Sequence, residues 1–242
     1  MRILIVNPNS SEEMTASIRG ETEHVARQGT EVTVVRVEEA PPSISSVADE
    51  ALAAPGVMRH ARWAAEEGYD AVIVACFSDP GLGAARDAAG IPVFGIQETS
   101  LYVAAMLGRK FTVLTPLARR VPKKLEDVRK LGLSHLLASV RPLELSVEET
   151  DGDPQRTKQK VVEVARRAVE EDEAELIVLG CAGMVGYAEE TQRRLGVPVM
   201  DPTTVTLSVC EGLGERQLNA LSTSRVSMPG FTRGEGGDRR GQ

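Results

Sequence analysis

The chain has 242 residues, 42% of them hydrophobic and 26% charged, with a formal net charge of −7. These proportions describe a globular chain long enough for one or two cored domains. The acidic balance argues against nucleic acid or an anionic membrane as partner, and 3% aromatic content leaves little for base stacking or aromatic cages.

The first predicted strand is Arg2–Val6, inside "MRILIVNPNSSEE". Its apolar run is too short for a signal peptide, and no stretch of the chain approaches the ~20 apolar residues a bilayer requires, so a cytoplasmic protein is expected. Asn9 and Ser10 follow, ahead of a predicted helix near Glu12–Gln28. Either suits an N-cap, and Glu13, three residues after Ser10, completes a capping box. Next come a strand over Glu31–Val37, a helix over Val47–Glu67 and a strand over Ala71–Ala75 that ends on Cys76. A turn, Ser78-Asp79-Pro80-Gly81, leads into a helix over Gly81–Ala89, with Asp79 favourable at the positive end of its dipole. A strand over Pro92–Ile96 and a helix over Glu98–Leu107 close this series.

The series then repeats. Strands are predicted over Phe111–Thr115, Leu136–Arg141, Leu176–Gly180 and Pro198–Asp201. Helices are predicted near Ala118–Leu131, Pro154–Glu171, Tyr187–Leu195 and Thr203–Leu221. The charged run Arg166–Glu175 reads as a solvated helix end, and the Gly- and Arg-rich tail, 222–242, reads as flexible.

Alternating strands and amphipathic helices predict an α/β fold with parallel sheets. "AVIVAC" (Ala71–Cys76) aligns with "LIVLGC" (Leu176–Cys181), position 76 against 181, a shift of 105. "GIPVFGI" at 90–96 corresponds to "GVPVMDP" at 196–202, and Asn7-Pro8 corresponds to Thr115-Pro116. Three segments in one order at nearly constant spacing imply a duplication into two similar halves. The expected architecture is two pseudo-twofold-related lobes, each a four-stranded parallel sheet flanked by helices.

Cysteine usage then acquires meaning. The three cysteines, Cys76, Cys181 and Cys210, form no CxxC pair, and His24, His60 and His135 lie away from the strand ends. Metal and histidine chemistry are therefore not expected. A lone Cys76 reads as readily as core filler as it does a reactive thiol. The duplication favours the second reading, because it places a cysteine at the C-terminal edge of a parallel sheet in each half, where ligands bind. Cys210 has no partner in the first half and reads as a buried helix residue.

With "VNPNSSEEMT", "ACFSDPGL", "LGCAGM" and "GVPVMDP" occurring in that order, the chain resembles the hydantoin/allantoin racemase branch of the aspartate/glutamate racemase superfamily, from Met1 to about Leu221. The resemblance implies a cofactor-independent, metal-free racemase acting on a small molecule, and a homo-oligomer is expected. Residues 1–98 would form one lobe, completed by the helix at 203–221, and 99–202 the other. Cys76 and Cys181 would be the paired acid/base groups, and Asn9 and Ser10 the substrate-contacting loop. Phe77, Ser78, Ala182, Gly183 and Met184 would offer backbone N–H groups to ring oxygens. Thr115 is the second-half counterpart of Asn7 at the same sheet edge. Glu98 stands either against the substrate or as a helix cap. Ser78 departs from the pattern, which has glycine there.

Two-base inversion also requires one ionised and one protonated thiol. No Lys, Arg or His neighbours either cysteine in sequence, so backbone N–H groups near Gly81 and Gly183 are the expected source of the shift. Three other readings fit the same scaffold: an aspartate or glutamate racemase, a maleate isomerase or arylmalonate decarboxylase, and a non-catalytic small-molecule binder. Phe77 and Ala182, where amino-acid racemases carry hydroxyl residues, favour a neutral ring.

Overall fold

Two apolar runs wholly excluded from water, in β1 (Arg2–Asn7) and β3 (Ala71–Val74), form the centre of a parallel sheet. Strands buried on both faces read as continuous rather than alternating hydrophobic runs. In the computed structural model, which describes residues 1–108, 110–145, 149 and 153–223, β2 (Glu31–Arg36) and β4 (Val93–Gly95) flank this pair. The order is β2-β1-β3-β4, all parallel. The second half repeats it. β5 (Phe111–Thr115) and β7 (Leu176–Leu179) lie between β6 (Leu137–Pro142) and β8 (Val199–Met200), in the order β6-β5-β7-β8. In each sheet the chain turns one way from the first strand and the other way to the third. A crevice therefore opens at the C-terminal ends of β1 and β3, and of β5 and β7.

Helices cover both faces of each sheet. α1 (Glu12–Val25) lies on one face of the first, and α2 (Val47–Glu66) and α3 (Leu82–Ala89) on the other. α4 (Ile96–Leu107) leaves the first sheet and sets Leu101 and Ala104 against Phe111, Val113, Leu176 and Val178 of the second. α5 (Val121–Lys130) shares that layer through Val128, while α6 (Pro154–Asp172) and α7 (Ala188–Leu195) cover the opposite face. α8 (Pro202–Thr223) returns, placing Leu207 and Cys210 against Ile3, Ile5 and Ile73. Each half thus lends its last helix to the other sheet. Among the described residues no helix is long and apolar enough to cross a membrane.

Boundaries differ from the expectations where local chemistry intervenes. The strand expected over Pro92–Ile96 stops at Gly95, because α4 begins at once at Ile96. The helix expected from Ala118 opens as a 3₁₀ turn over Ala118–Arg120, and α5 starts only at Val121, with Pro122 in its first turn where a missing N–H costs nothing. The helix expected over Thr203–Leu221 is broken at Gly214, whose φ of 68° and ψ of 161° are not helical, and the second segment of α8 runs on to Thr223. The rest of the expected flexible tail, 224–242, lies outside the described residues.

Candidate active site

The loop after β1 is held by two asparagines. The Asn7 amide, fully buried, donates to Asn9 Oδ1 and Thr15 Oγ1, both at 2.9 Å. Asn9 Oδ1 also accepts from the Ser11 N–H at 2.9 Å, and its Nδ2 lies 3.2 Å from Met14 Sδ. Asn9 is thereby turned inward, and the cap of α1 passes to Ser11, whose hydroxyl accepts from the Met14 N–H at 3.1 Å. This corrects the expected cap at Asn9 or Ser10. The Ser10 N–H instead donates to the Pro41 carbonyl at 3.1 Å.

Cys76 lies two residues beyond β3, held by the Ala75 N–H donating to Val6 O at 2.8 Å. Its carbonyl accepts from the Ser78 and Asp79 N–H groups, at 2.8 and 2.9 Å, so those donors close the turn. Its half-buried sulfur stands 3.4 Å from Ser78 Oγ. Asp79 adopts a left-handed φ of 48°, uncommon outside glycine but tolerated by aspartate. Its carboxylate accepts from the Gln97 and Glu98 N–H groups, at 3.0 and 2.8 Å. Asp79 therefore caps α4, not the adjacent α3 as its place in sequence suggested. Gly95 is needed beside it, since a Cβ there would fall 2.2 Å from Asp79 Cγ.

Cys181 occupies the matching place beyond β7. A 3₁₀ turn over Ala182–Met184 follows, and its Gly183 N–H donates to Cys181 Sγ at 3.4 Å. Asp201 ties this loop to a helix as Asp79 does, accepting from Gly186 at 3.2 Å and from Thr203 and Thr204 at 2.8 and 3.2 Å.

One cleft of about 510 Å³, open mouth included, is lined by both strand-end loops. Of the residues expected at the site, the structure brings together Cys76, Cys181, Asn9, Phe77, Ser78, Thr115 and Ala182 on its wall. Ser10, Gly183 and Met184 are not on that wall. Gly183 turns its N–H to sulfur, and Met184 is fully buried in the second sheet's core. Glu98 pairs with Arg86 at 3.0 and 3.2 Å, also away from the cleft. Cys210 is fully buried in α8, as expected, and burial pushes its thiol up.

Two cations on the wall were not anticipated. Arg120 pairs with Glu50 of α2, joining the halves across the cleft, and Lys124 of α5 is 4% exposed. The Lys124 ammonium donates to Gln97 Oε1 at 2.8 Å and lies 5.0 Å from the centre of the Phe77 ring. The electrostatics near Cys76 consequently differ from the expectation. Burial pushes this thiol up, Ser78 and Lys124 pull it back, and Asp79 and Glu50 add to the rise. At Cys181 the expected Gly183 N–H is in place. Lys124 sits on a buried face with Asp127 and Val128, whereas Leu125 of the same helix is 45% exposed. A polar residue on the i, i+3, i+4 stripe of α5 is the signal that marks it.

Burial also pushes the Asp79 carboxyl up to about 7 and Asp201 up to about 6, against their backbone donors. A carboxyl with a raised folded pKa favours the fold while protonated. That contribution is lost as pH rises from about 4 towards about 7. The melting temperature of Asp79→Asn, neutral throughout, should therefore gain on that of the wild type across this window and level off above it. An Asp79→Asn melting temperature that falls relative to the wild type as pH rises would contradict the assignment.

Comparison with known proteins adds to this geometry. The family described as Asp/Glu/Hydantoin racemase matches residues 3–210. A hydantoin racemase of Pseudomonas sp. (strain NS671) is 39% identical over 212 residues, 87% of this chain and 85% of that protein. One from Rhizobium meliloti is 38% identical over 234 residues, 96% and 95% of the two chains. The solved allantoin racemase from Klebsiella pneumoniae superposes with a TM-score of 0.85 at 35% identity, covering 90% of this chain and 89% of that one.

Proposed function

Because the chain belongs to the Asp/Glu/hydantoin racemase family and is an isomerase, we propose that it inverts C5 of 5-substituted hydantoins, allantoin among them, using Cys76 and Cys181 as paired acid and base. One observation carries the reading. The two thiols follow equivalent strands, each two residues past the strand end, and both open into one cleft.

The C5 hydrogen of a hydantoin lies next to a ring carbonyl, so its removal gives an enolate that fixed donors can stabilise. In each turnover one thiolate takes the C5 proton and becomes a thiol. The opposite thiol gives its proton to the other face of C5 and becomes the thiolate. Atoms and charge balance, and the protein ends in the mirror protonation state. The Phe77 and Ala182 N–H groups are the assigned donors to ring oxygens. Both residues line the cleft, whereas the donors of Ser78 and Gly183 are engaged within their own turns. Asn9 and Thr115 frame the ring from the ends of β1 and β5, and Ser78 Oγ shares a hydrogen bond with the Cys76 sulfur. Ser10, Gly183 and Met184 act indirectly, by shaping the two loops.

This reading carries with it a cytoplasmic, cofactor-independent homo-oligomer. Three free cysteines suit a reducing compartment. Amino-acid racemisation is the second reading, favoured by the Lys124 ammonium on the cleft wall, which suits a carboxylate. Polarimetry on 5-substituted hydantoins, allantoin, aspartate and glutamate, with EDTA and no added cofactor, separates the two. Loss of rotation is expected for the ring substrates alone. Racemisation of an amino acid with inert hydantoins would overturn the proposal.

A further inference from the structure

The two halves share a backbone plan but differ in charge. α5 of the second half lies over the loop that carries Cys76, through the contact of Lys124 with Phe77. α1 of the first half takes the reciprocal place beside the turn after Cys181, and its buried residues are Met14, Thr15, Ile18 and Thr22, none of them cationic.

Burying an ammonium without an opposite charge is costly, so the surroundings of Lys124 are informative. Arg120 in the preceding turn pairs with Glu50 of α2. Lys123 and Asp127 of α5 pair with each other, and Arg86 pairs with Glu98 of α4. The Asp79 carboxylate is engaged by two backbone N–H groups at the start of α4. Among the described residues Lys124 has no carboxylate within ion-pair distance. Its hydrogen-bond acceptor is the neutral Gln97 amide. The wall that Lys124 occupies also carries Cys76.

We propose that Lys124 is the counter-ion of the Cys76 thiolate, a positioning residue that offsets the burial opposing ionisation of this thiol. The proposal deepens the two-thiol reading and rests on it. Gln97 aims the ammonium, and the Phe77 ring face, next to Cys76 in sequence, holds it by cation–π attraction. Burial pushes the Cys76 thiol up and Lys124 works against that rise; in turn, burial draws the Lys124 ammonium down to about 8, and Cys76 is the first of the charges that hold it up. Lys124 therefore remains charged at neutral pH, where the thiolate needs it. The asymmetry has a chemical consequence. The enantiomer whose C5 hydrogen faces Cys76 depends on Lys124 to ionise its base, and the mirror image, served by Cys181, depends on it less.

The test measures alkylation by iodoacetamide against pH, with Cys76, Cys181 and Cys210 resolved by peptide mass spectrometry. In Lys124→Met the Cys76 midpoint should rise by about one unit or more, as expected for loss of an adjacent opposite charge. Cys181 should move much less, and Lys124→Arg should draw the Cys76 midpoint back. At pH 7 the Cys76-facing enantiomer should lose about tenfold in C5 deuterium exchange, with the other affected less. An unmoved Cys76 midpoint, or equal shifts of both thiols, would overturn the proposal. Should Lys124→Met unfold, shown by rapid alkylation of Cys210, the same criterion applies to Lys124→Gln. Alkylation needs no substrate, so it answers for Lys124 even if Cys76→Ser still racemises, the result that would sink the two-thiol reading itself.

Discussion

Serine at position 76 or at position 181 should abolish racemisation, while each variant still exchanges the C5 hydrogen of one enantiomer with deuterated water. A hydroxyl is too weak an acid to give or take this proton near neutrality. Removing a general acid or base costs about 10²–10⁴-fold in rate, and two-base inversion needs both groups in every turnover. The surviving thiolate keeps half the chemistry. It removes the hydrogen from its own face, exchanges it with solvent and returns deuterium to the same face, with configuration retained. Cys76→Ser should exchange one enantiomer through Cys181, and Cys181→Ser should exchange the opposite one through Cys76. The mirror relation follows from two strand ends lining one cleft. Cys210→Ser, buried under the first sheet, should keep its rate and lose only some stability. NMR of each enantiomer in deuterated buffer reads all three variants. Exchange of the same enantiomer by both single variants, or an inactive Cys210→Ser, would refute the assignment.

The duplication made most of this arrangement legible. Runs such as AVIV and LIVL have the continuous apolar character of central strands in covered parallel sheets, and a repeated cysteine after each falls at the edge where such sheets bind ligands. What the sequence concealed was set by contacts between distant segments. Asp79 looked like the start of α3 because local rules place a carboxylate at the nearest helix, yet its oxygens reach α4, 18 and 19 residues on. The cap of α1 fell to Ser11, not to Asn9 or Ser10, because the Asn9 side chain bonds Asn7 and the Ser10 N–H is held by the Pro41 carbonyl. Lys124 sits among the charged residues of "RRVPKKLED", where a solvated surface is the natural reading. Burial follows the helix face, not hydropathy, and α5 turns Lys124 inward while Leu125 faces water. Arg120 was hidden likewise, since its partner Glu50 belongs to the other half.

Gly180→Ala should be the most damaging single-methyl change near the cleft, although the equivalent position in the first half is already alanine. The repeat pairs Gly180 with Ala75, each one residue before its cysteine. Both N–H groups donate to the neighbouring central strand, but Gly180 approaches Leu114 O at 2.6 Å, whereas Ala75 stands 2.8 Å from Val6 O. A Cβ at 180 would lie 2.3 Å from that Leu114 oxygen and 2.9 Å from Val113 Cγ1. The first obstacle is backbone, which no rotamer change relieves, so the end of β7 must move away from β5 and carry Cys181 with it. Overpacking of this kind costs about 1–3 kcal/mol, or a fall of roughly 2–12 °C in Tm for a chain of this size. The catalytic loss should be larger still, because displacing a reacting group by about 1 Å can cost 10²-fold. Ala75→Gly is the control. It removes a methyl from a site with room for one, so it should cost about 1 kcal/mol or less in stability and keep the thiol in place. Thermal melts and racemisation rates of the two variants decide the matter. Wild-type Tm and rate in Gly180→Ala would mean that the two strand ends are interchangeable, and that the close approach of β5 and β7 does not fix the position of Cys181.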